Sequence, residues 1–411
     1  MKICDLNTLY IDGGAGGVNT YLHEKARFLA GLDGAAEHIL IVPSAVTGRR
    51  RLFGSTLYTI RSPGLPRNPH HRVLMNFRAI REILRREAPD VVEVDCTYLL
   101  GHPAARELAK RRPVVGFYHT HLPFHVGRLG PKAGSLVHRF LENLSWRYLA
   151  WCAAPLDRLL VPSTDIFRRL EARGFSRLEH VPLGVNLDLF RPAEAKTRSD
   201  RDLTVLYVGR LSGEKDLRVL FRAFEILAAR RSGVRLLLAG DGALQGQAER
   251  FARGRRDVVL GGPRPYGAGI ADLYAGADLV VLPGPSETFG LTILEALASG
   301  VPVVAMSRGG PLDLVTPEVG ALARPGDAED LAVKLGEVLE RRPSAARCRR
   351  HVEGNFSWSR SFARLLDVYA SAGMPRDMEP APRPAADPVF QSDPVLGECS
   401  PVSQTPTGGI S

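Results

Sequence analysis

The stretch Glu287-Thr-Phe-Gly-Leu-Thr-Ile-Leu-Glu295 places two glutamates where a buried strand turns into a helix. The apolar run Asp278–Leu282 predicts the strand, and Gly290–Ser299, followed by Gly300, predicts the helix. In open α/β sheets, ligands bind beyond the carboxyl ends of the strands. We therefore expect a ligand site at this turn.

The spacing of the two glutamates limits what they can do. At about 1.5 Å per helical residue their backbones lie roughly 12 Å apart, whereas a glycosidase holds its two carboxyl groups about 5 to 9.5 Å apart. Between them, the free amides of Phe289, Gly290 and Leu291 at the predicted helix N-terminus attract anions. A nucleotide sugar presents hydroxyl, phosphate and hydroxyl groups in this order. The simpler alternative is an amphipathic helix with one capping and one solvated glutamate.

The composition is that of a globular protein. The chain has 411 residues, enough for two domains, with 45% hydrophobic and 24% charged residues. No stretch approaches the roughly 20 apolar residues of a membrane span, and the first residues run into a strand rather than a signal peptide, so we expect a cytoplasmic protein. The cysteines are odd in number and scattered, which argues against a disulfide framework or a structural zinc site. They are Cys4, Cys96, Cys152, Cys348 and Cys399.

The formal charge of +10 favours anionic partners. Arginines concentrate in the first third of the chain, and we interpret them as a surface that docks on an anionic membrane; solvated helix faces are the alternative. Nucleic acid is a poor fit because the basic runs lack interleaved aromatic residues. The arginines are Arg49, Arg50, Arg51, Arg67, Arg72, Arg78, Arg81, Arg85, Arg86, Arg111 and Arg112.

Short apolar runs alternate with helical patterns in both halves, which predicts two doubly wound α/β domains facing a cleft. Predicted helices include Val18–Leu32 and Val73–Glu87. The predicted strands are Lys2–Leu6, His38–Val42, Asp90–Val94, Val114–Tyr118, Leu159–Pro162, Glu179–Pro182, Leu203–Val208, Arg235–Ala239, Asp257–Leu260, Asp278–Leu282, Val301–Ala305 and Gly320–Ala323.

The domain boundary is predicted within the polar segment Leu189–Asp202. We assign residues 1–188 to the first domain and 189–355 to the second. Residues 377–411 are rich in Pro, Ala, Ser and Gly, a composition that cannot offset its ordering entropy, so we predict a disordered tail.

A glycine-rich turn, Asp12-Gly-Gly-Ala-Gly-Gly17, follows the first predicted strand. Glycines at a strand-to-helix turn allow the backbone to approach a phosphate, although a flexible turn is the alternative. A dinucleotide oxidoreductase would require Gly-x-Gly-x-x-Gly and an acidic residue at the end of the second strand. Here Asn19 follows the turn and the second strand ends Ile41-Val-Pro-Ser44, which disfavours that class.

Two cations follow the first strand of the second half. Arg210 offers a planar fork and Lys215 a point charge, a combination that suits one diphosphate. The alternative is a surface salt bridge with Glu214 or Asp216.

Three histidines, His119, His121 and His125, follow a strand of the first half. A zinc site is disfavoured because no neighbouring Glu or Cys supplies a further ligand and Pro123 interrupts the loop. One imidazole at the strand end that hydrogen-bonds a sugar hydroxyl is the better interpretation.

Taken together, these motifs resemble the retaining glycosyltransferases of the twin-Rossmann B-type (GT-B) fold, family four, also described as group 1. The resemblance covers about residues 1–370. It rests on the glycine turn and on Phe117-Tyr-His-Thr120, Val161-Pro-Ser-Thr164, His180–Pro192, Val208-Gly-Arg-Leu-Ser-Gly-Glu-Lys215 and Pro285–Pro302.

The resemblance implies a role for each matching residue of the second half. Arg210 and Lys215 would hold the donor diphosphate, assisted by the amides of Phe289–Leu291. Glu295 would bind the nucleotide ribose, and Glu287 the hydroxyls of the transferred sugar.

The resemblance also implies roles in the first half. Gly16 and Gly17 would meet the donor phosphates from the opposite side, and His119 would lie near the anomeric centre. A helix over residues 356–372 would cross back to the first domain.

The resemblance further implies a hexose transfer from a nucleotide diphosphate sugar to a lipid or glycan acceptor, on the cytoplasmic side of the membrane. No metal or other cofactor is expected, because Arg210 and Lys215 would supply the positive charge. The sugar and the acceptor stay open. Two alternatives are a nucleotide-sugar 2-epimerase and a nucleotide-sugar-binding subunit without turnover.

Overall fold

The computed structural model describes residues 1–12, 14, 16–65, 68–95, 112–129, 135–193 and 203–372. The predicted tail 377–411 lies outside the described residues. So do Gly13 and Ala15 of the glycine turn and residues 194–202 of the predicted boundary.

The first sheet has eight strands in the order β10-β9-β8-β7-β1-β2-β4-β3, and every neighbouring pair is parallel except β3 with β4. Its central strands are buried and largely apolar because helices cover both faces, although β1 and β7 also carry buried acidic residues. A separate small hairpin is formed by β5 and β6. The ranges are β1 Lys2–Asn7, β2 Glu37–Ser44, β3 Gly48–Leu52, β4 Ser55–Arg61, β5 Gly64–Leu65, β6 Asn68–Arg72, β7 Val91–Asp95, β8 Val114–Phe117, β9 Arg158–Val161 and β10 Leu178–His180.

The second sheet has six parallel strands in the order β13-β12-β11-β14-β15-β16. In both sheets the chain runs outward on one side of the first strand and then returns to the other side. Each sheet therefore has a switch point, between β1 and β7 in the first and between β11 and β14 in the second. The ranges are β11 Leu203–Val208, β12 Val234–Ala239, β13 Val258–Leu260, β14 Leu279–Leu282, β15 Val303–Met306 and β16 Gly320–Ala323.

Thirteen helices lie in the described part of the chain, and Gly213–Lys215 forms one 3-10 turn. The helices are α1 Gly17–Ala30, α2 Phe77–Glu87, α3 Leu122–Leu129, α4 Leu136–Ala153, α5 Thr164–Glu171, α6 Leu217–Arg230, α7 Gln245–Ala252, α8 Ala268–Gly276, α9 Leu291–Ala298, α10 Pro311–Leu314, α11 Ala328–Arg341, α12 Ala345–Asn355 and α13 Trp358–Ser371. No described helix has both the length and the apolar character needed to cross a bilayer.

The fold class is confirmed by the two parallel sheets, and each predicted strand is present within a few residues. The hairpin of β3 and β4 was not predicted. Phe53 and Gly54 at its turn both have positive φ (48° and 87°), as a two-residue turn between right-twisted strands requires. The exposed Arg49–Arg51 of β3 give the sheet a charged edge, which discourages pairing with another chain.

The predicted helix Val73–Glu87 begins four residues later than expected. Asn76 ends the preceding extended segment, and its side chain accepts a hydrogen bond from the amide of Ala79 at 3.1 Å. This interaction is an N-cap, so α2 starts at Phe77.

Helix α13 packs against α1, which confirms the predicted crossing to the first half. Trp358 stacks on Phe362 with ring centroids 5.1 Å apart, and Phe362 contacts Tyr21 of α1 at 5.8 Å. These aromatic side chains are buried and belong to the largest hydrophobic cluster, which also contains residues of the second sheet.

A buried ion cluster also ties α13 to the first sheet. The ammonium of Lys25 lies 2.7 Å from Asp5 Oδ1, 3.1 Å from Glu93 Oε1 and 2.6 Å from the hydroxyl of Tyr369, which itself donates to Glu93. Burial alone would lower the pKa of Lys25, but the Asp5 and Glu93 carboxyls outweigh it, and the pKa is raised. Burial raises the pKa of Glu93 to about 8. Lys25 is therefore the charged partner that makes burial of the acidic groups tolerable.

Lys25→Met should destabilise the protein strongly, because it leaves a buried carboxylate without its partner. We expect a loss of about 3 to 5 kcal/mol in the free energy of unfolding, measured by urea denaturation. Lys2→Met is the matched control, because Lys2 pairs with the exposed Glu37 at 3.0 Å, and it should cost about 0 to 1 kcal/mol. Equal losses in the two variants would contradict the role given to Lys25.

Candidate active site

The predicted site residues come from loops at the switch points of both sheets. Gly16 and Gly17 follow β1, and His119 follows β8. Strand β7 lies between β8 and β1 in the sheet. The loops after β11 and β14 carry the charged residues of the second half. They are Arg210, Lys215 and Glu287, with Glu295 one turn further along in α9.

Glu287 and Lys215 lie in direct contact, with Lys215 Nζ donating to Glu287 Oε1. The Glu287 carbonyl accepts a hydrogen bond from the Gly310 amide at 3.0 Å. A Cβ on Gly309 would lie 2.1 Å from that carbonyl oxygen, and one on Gly310 would lie 1.9 Å from Phe289 O. Two glycines are therefore needed for the loop after β15 to hold Glu287 in place.

Arg210 forms a salt bridge with Glu214 at 3.1 Å and its side chain is 64% exposed. The salt bridge with Glu214, which was the alternative interpretation of Arg210, is therefore present in the structure. Lys215 instead turns toward Glu287 because Gly213–Lys215 forms a 3-10 turn, which ends at Asp216 in the left-handed region (φ 49°). An exposed ion pair contributes little, so Arg210 can exchange its partner at low cost.

Glu295 is buried and accepts a hydrogen bond from the Tyr274 hydroxyl at 2.7 Å. Burial raises the pKa of Glu295 to about 7, although the hydrogen bond from Tyr274 opposes the shift. Tyr274 is fully buried in α8 and was not predicted as part of the site. The structure thus places Glu295 near its predicted position, with a carboxyl that changes charge close to neutral pH.

The amides of Phe289–Leu291 lie at the start of α9, where Gly290 has a φ of 106° and no side chain caps the helix. Gly17 of the first half meets this helix start, because a Cβ there would lie 3.4 Å from Leu291 Cδ1. The glycine turn and the N-terminus of α9, which are the two predicted phosphate-binding elements, therefore lie next to each other. The uncapped amides and the partial positive charge of the helix suit an anion.

Asn19 organises the described part of the glycine turn. Its side chain accepts from the Ile11 amide at 3.1 Å and donates to the Ile11 and Gly14 carbonyls at 2.7 and 3.0 Å. In the sequence, Asn19 served only as an argument against a dinucleotide-binding motif, and no structural role was predicted for it. Its position in the first turn of α1, just after glycines, was the available signal for a side chain that bonds to the loop backbone.

His119 is held in one orientation by Asp95 and Phe117. Its Nε2 lies 2.9 Å from Asp95 Oδ1 at the end of β7, and Asn7 Nδ2 donates to the other Asp95 oxygen at 2.8 Å. The ring stacks on Phe117 with centroids 4.3 Å apart. With Nε2 assigned to the carboxylate, Nδ1 is the ring atom left for a ligand.

A hydrogen bond links His119 to the glutamate loop. Thr288 Oγ1 donates to the His119 carbonyl at 2.8 Å. This bond ties the backbone of His119 to the residue that follows Glu287, so loops from the two sheets meet here.

Of the other two histidines, the structure describes the side chain of His121. His121 Nδ1 lies 2.8 Å from the Tyr118 hydroxyl, and the His125 side chain lies outside the described residues. Within the described part of the chain, one group has spacing that suits a metal, namely Asp5, Glu93 and Asp95. The Lys25 ammonium bonds two of these carboxyls, so a protein cation already occupies that position.

Two further contacts join the halves beside the site. Asp313 Oδ2 accepts from the Thr164 amide at 2.6 Å, and Asp165 Oδ2 accepts from the Gly309 amide at 3.0 Å. Both residues are carboxylates near helix ends, and no sequence pattern predicts that they pair with the opposite half.

Two family models match consecutive parts of the chain. The model described as Glycosyltransferase Family 4 matches residues 15–189, and that described as Glycosyl transferases group 1 matches residues 191–353. Together they cover every described strand except β1, and every predicted site residue.

Characterised relatives cover most of the chain. A GDP-mannose-dependent alpha-mannosyltransferase of Mycobacterium tuberculosis (strain CDC 1551 / Oshkosh) is 34% identical over 71% of this chain and 75% of its own length. A GDP-mannose-dependent alpha-(1-6)-phosphatidylinositol dimannoside mannosyltransferase of Mycobacterium tuberculosis (strain ATCC 25177 / H37Ra) is 29% identical over 80% of this chain and 86% of its own length.

Solved structures share the fold. Sucrose-phosphate synthase from Thermosynechococcus elongatus matches with a TM-score of 0.74 at 20% identity, over 90% of this chain and 99% of that chain. The predicted GT-B fold is therefore confirmed.

The raised pKa of Glu295 predicts a pH dependence of donor binding. The carboxyl is largely neutral below its pKa of about 7 and ionised above it. A carboxylate accepts a hydroxyl hydrogen bond more strongly than a carboxylic acid does, so affinity for a nucleoside diphosphate sugar should rise about fivefold from about pH 6 to about pH 8. Calorimetric titration of wild type and Glu295→Gln would measure this, and the variant should show a flat profile. The same slope in both proteins would remove Glu295 from the donor site.

Proposed function

Because the chain belongs to the group 1, family 4 glycosyltransferases, we propose that it moves a hexose from a nucleoside diphosphate sugar to a lipid or glycan acceptor with retention of configuration. The contact of Lys215 with Glu287 carries the proposal, because it puts a phosphate-binding cation beside a sugar-binding carboxylate. The relatives support the donor class, since two of them are named as GDP-mannose-dependent. One is named for a phosphatidylinositol dimannoside, which supports a lipid-linked acceptor.

The donor diphosphate would replace the salt bridges that Lys215 and Arg210 form with Glu287 and Glu214. Lys215 would turn from Glu287 to a phosphate oxygen, and Arg210 would leave Glu214. The backbone amides at the start of α9 would donate hydrogen bonds to the remaining phosphate oxygens. Two cations and a helix N-terminus supply the stabilisation that a metal gives elsewhere, so we propose a metal-independent enzyme.

The released Glu287 carboxylate would accept hydrogen bonds from hydroxyls of the transferred sugar. The bond from the anomeric carbon to the diphosphate oxygen breaks, and the acceptor oxygen attacks the same face of the sugar. The acceptor proton moves to the departing phosphate oxygen, so no separate general base is required. The protein contributes positioning and stabilisation of the charge that grows on the diphosphate.

His119 would complete the sugar site from the first half. Its Nε2 faces the Asp95 carboxylate, and in the neutral ring Nδ1 then accepts a hydrogen bond from a sugar hydroxyl. Tight packing against Phe117 would keep this acceptor in place during transfer.

The proposal predicts different outcomes for the two glutamates. Wild type incubated with UDP-, GDP- and ADP-sugars, with and without EDTA, and with lipid and oligosaccharide acceptors should give a product identified by mass. Glu287→Ala should lose transfer about a hundredfold or more while it retains nucleotide binding, since loss of one positioned group costs that order. Glu295→Ala should instead weaken donor binding and retain turnover at saturating donor.

Three results would separate the alternatives. Release of free UDP and a changed sugar without acceptor would indicate the 2-epimerase. Nucleotide-sugar binding without any transfer would indicate the non-catalytic subunit. Loss of activity on addition of EDTA would exclude the metal-independent mechanism.

We propose further that the enzyme docks on the inner face of the cytoplasmic membrane. The exposed arginines of β3 and α2 would contact its anionic lipids. Arg49, Arg50 and Arg51 are exposed along the edge strand, as are Arg78 and Arg81 on α2. A cluster of this kind is attracted to anionic lipid by about 1 kcal/mol per residue.

Liposome sedimentation tests the docking surface. Wild type should pellet with anionic vesicles at low salt and remain in the supernatant at high salt. The triple change of Arg49, Arg50 and Arg51 to Gln should reduce pelleting about tenfold or more. The same change at Arg222, Arg230 and Arg253, exposed on the second half, is the matched control and should have little effect. Equal loss in both triple variants would show that net charge alone attracts the protein.

A further inference from the structure

Arg308 lies in the loop after β15, immediately before the two glycines that hold Glu287. It lines a pocket together with His121, Phe124, Asp165, Arg169 and Glu287. The pocket therefore has walls from both halves of the chain and contains the carboxylate proposed to bind the transferred sugar.

The carboxylates in this pocket are already engaged. Glu287 contacts Lys215. Asp165 Oδ2 accepts from Arg169 Nε at 2.8 Å and from the Gly309 amide at 3.0 Å. Arg308 forms no ion pair with any residue that the structure describes, although the carboxylates of Asp165 and Glu142 favour its charge from a longer distance.

Burial makes that charge costly. Arg308 is half-buried, and its pKa is lowered mainly by burial and also by Arg169, although Asp165 and Glu142 act in the opposite direction. A half-buried cation near a second cation gains strongly from an added anion, because attraction between charges is larger where water is partly excluded.

Arg308 lies over an aromatic ring. The guanidinium carbon lies 5.1 Å from the centre of the Phe124 ring. A cation–π contact does not use up the N–H groups of a guanidinium, which are five donors in a planar fork. This edge matches a carboxylate or a phosphate through two parallel hydrogen bonds.

We propose that Arg308 binds an acidic group, a carboxylate or a phosphate, on the acceptor. The inference rests on the proposed transfer reaction. The donor's own diphosphate is assigned to Arg210 and Lys215, and the neighbouring Glu287 repels an acidic group on the transferred sugar. An acceptor that enters between His121, Phe124 and Asp165 of the first half would place its acidic group against Arg308.

Binding measurements test this assignment without any need for turnover. The protein is first saturated with UDP or GDP, so that the diphosphate site is filled. It is then titrated calorimetrically with two matched pairs of probes: methyl glucuronide against methyl glucoside, and inositol 1-phosphate against inositol. Wild type should bind the acidic member of at least one pair about tenfold more tightly than its neutral partner. The two pairs distinguish a carboxylate from a phosphate.

Variants locate the effect. Arg308→Gln should remove the preference for the acidic probe, and Arg308→Lys should keep part of it, because lysine retains the charge and loses the planar fork. Arg222→Gln is the matched control, since Arg222 is an exposed arginine on α6, and it should bind as wild type does. If Arg308→Gln fails to fold, the Arg308→Lys comparison carries the test.

Two results would overturn the inference. One is equal binding of acidic and neutral probes by wild type, which includes no measurable binding of either. The other is a preference for the acidic probe that survives in Arg308→Gln. If Arg308→Gln does not fold, a preference that is unchanged in Arg308→Lys has the same meaning. Failure of the transfer reaction itself would be seen separately, as absence of product from wild type with the full donor and acceptor panel.

Discussion

The ammonium of Lys25 holds together parts of the chain that are distant in sequence. It bonds carboxyls on two neighbouring strands, β1 and β7, and the Tyr369 hydroxyl on the last helix. Asp95, at the end of the same β7, orients His119. The position of the imidazole therefore depends on a strand pairing that Lys25 stabilises from within the core. A buried charge of this kind is tolerated only when its partners are complete, which makes the first sheet and the last helix one cooperative unit.

The architecture was predictable because strands buried on both faces are continuous apolar runs, as in β11 and β14. The β3–β4 hairpin was missed because β3 is an edge strand made largely of arginines, and such a strand has no apolar pattern. The predicted site residues lie in the loops or first helical turns that follow strands, as the sequence pattern indicates, but their partners were not predicted. These partners are Tyr274, Asp95 and Asn19. They reach the site through strand order and loop packing, and the alternation of strands and helices along the sequence does not predict either of these.

The charged groups proposed to bind the donor pair with one another in the structure. Lys215 pairs with Glu287 and Arg210 with Glu214. If these cations turned to a diphosphate alone, Glu287 would lose its partner. A complete nucleotide sugar would satisfy both the released cations and the released carboxylate, so the proposed site would favour the whole donor over its fragments. This discrimination would follow from the cost of leaving a partly buried charge unpaired.

Helix α13 has a consequence for protein engineering. It follows the second sheet in the sequence, yet its aromatic residues and Tyr369 pack on α1 and the first sheet. The first half is thus built from two separate segments of chain, and the second half lies between them. A chimaera that exchanges donor specificity between relatives must therefore replace the internal segment and keep Trp358–Ser371 with its own α1. A simple fusion at one junction would join a foreign aromatic helix to a surface evolved for another.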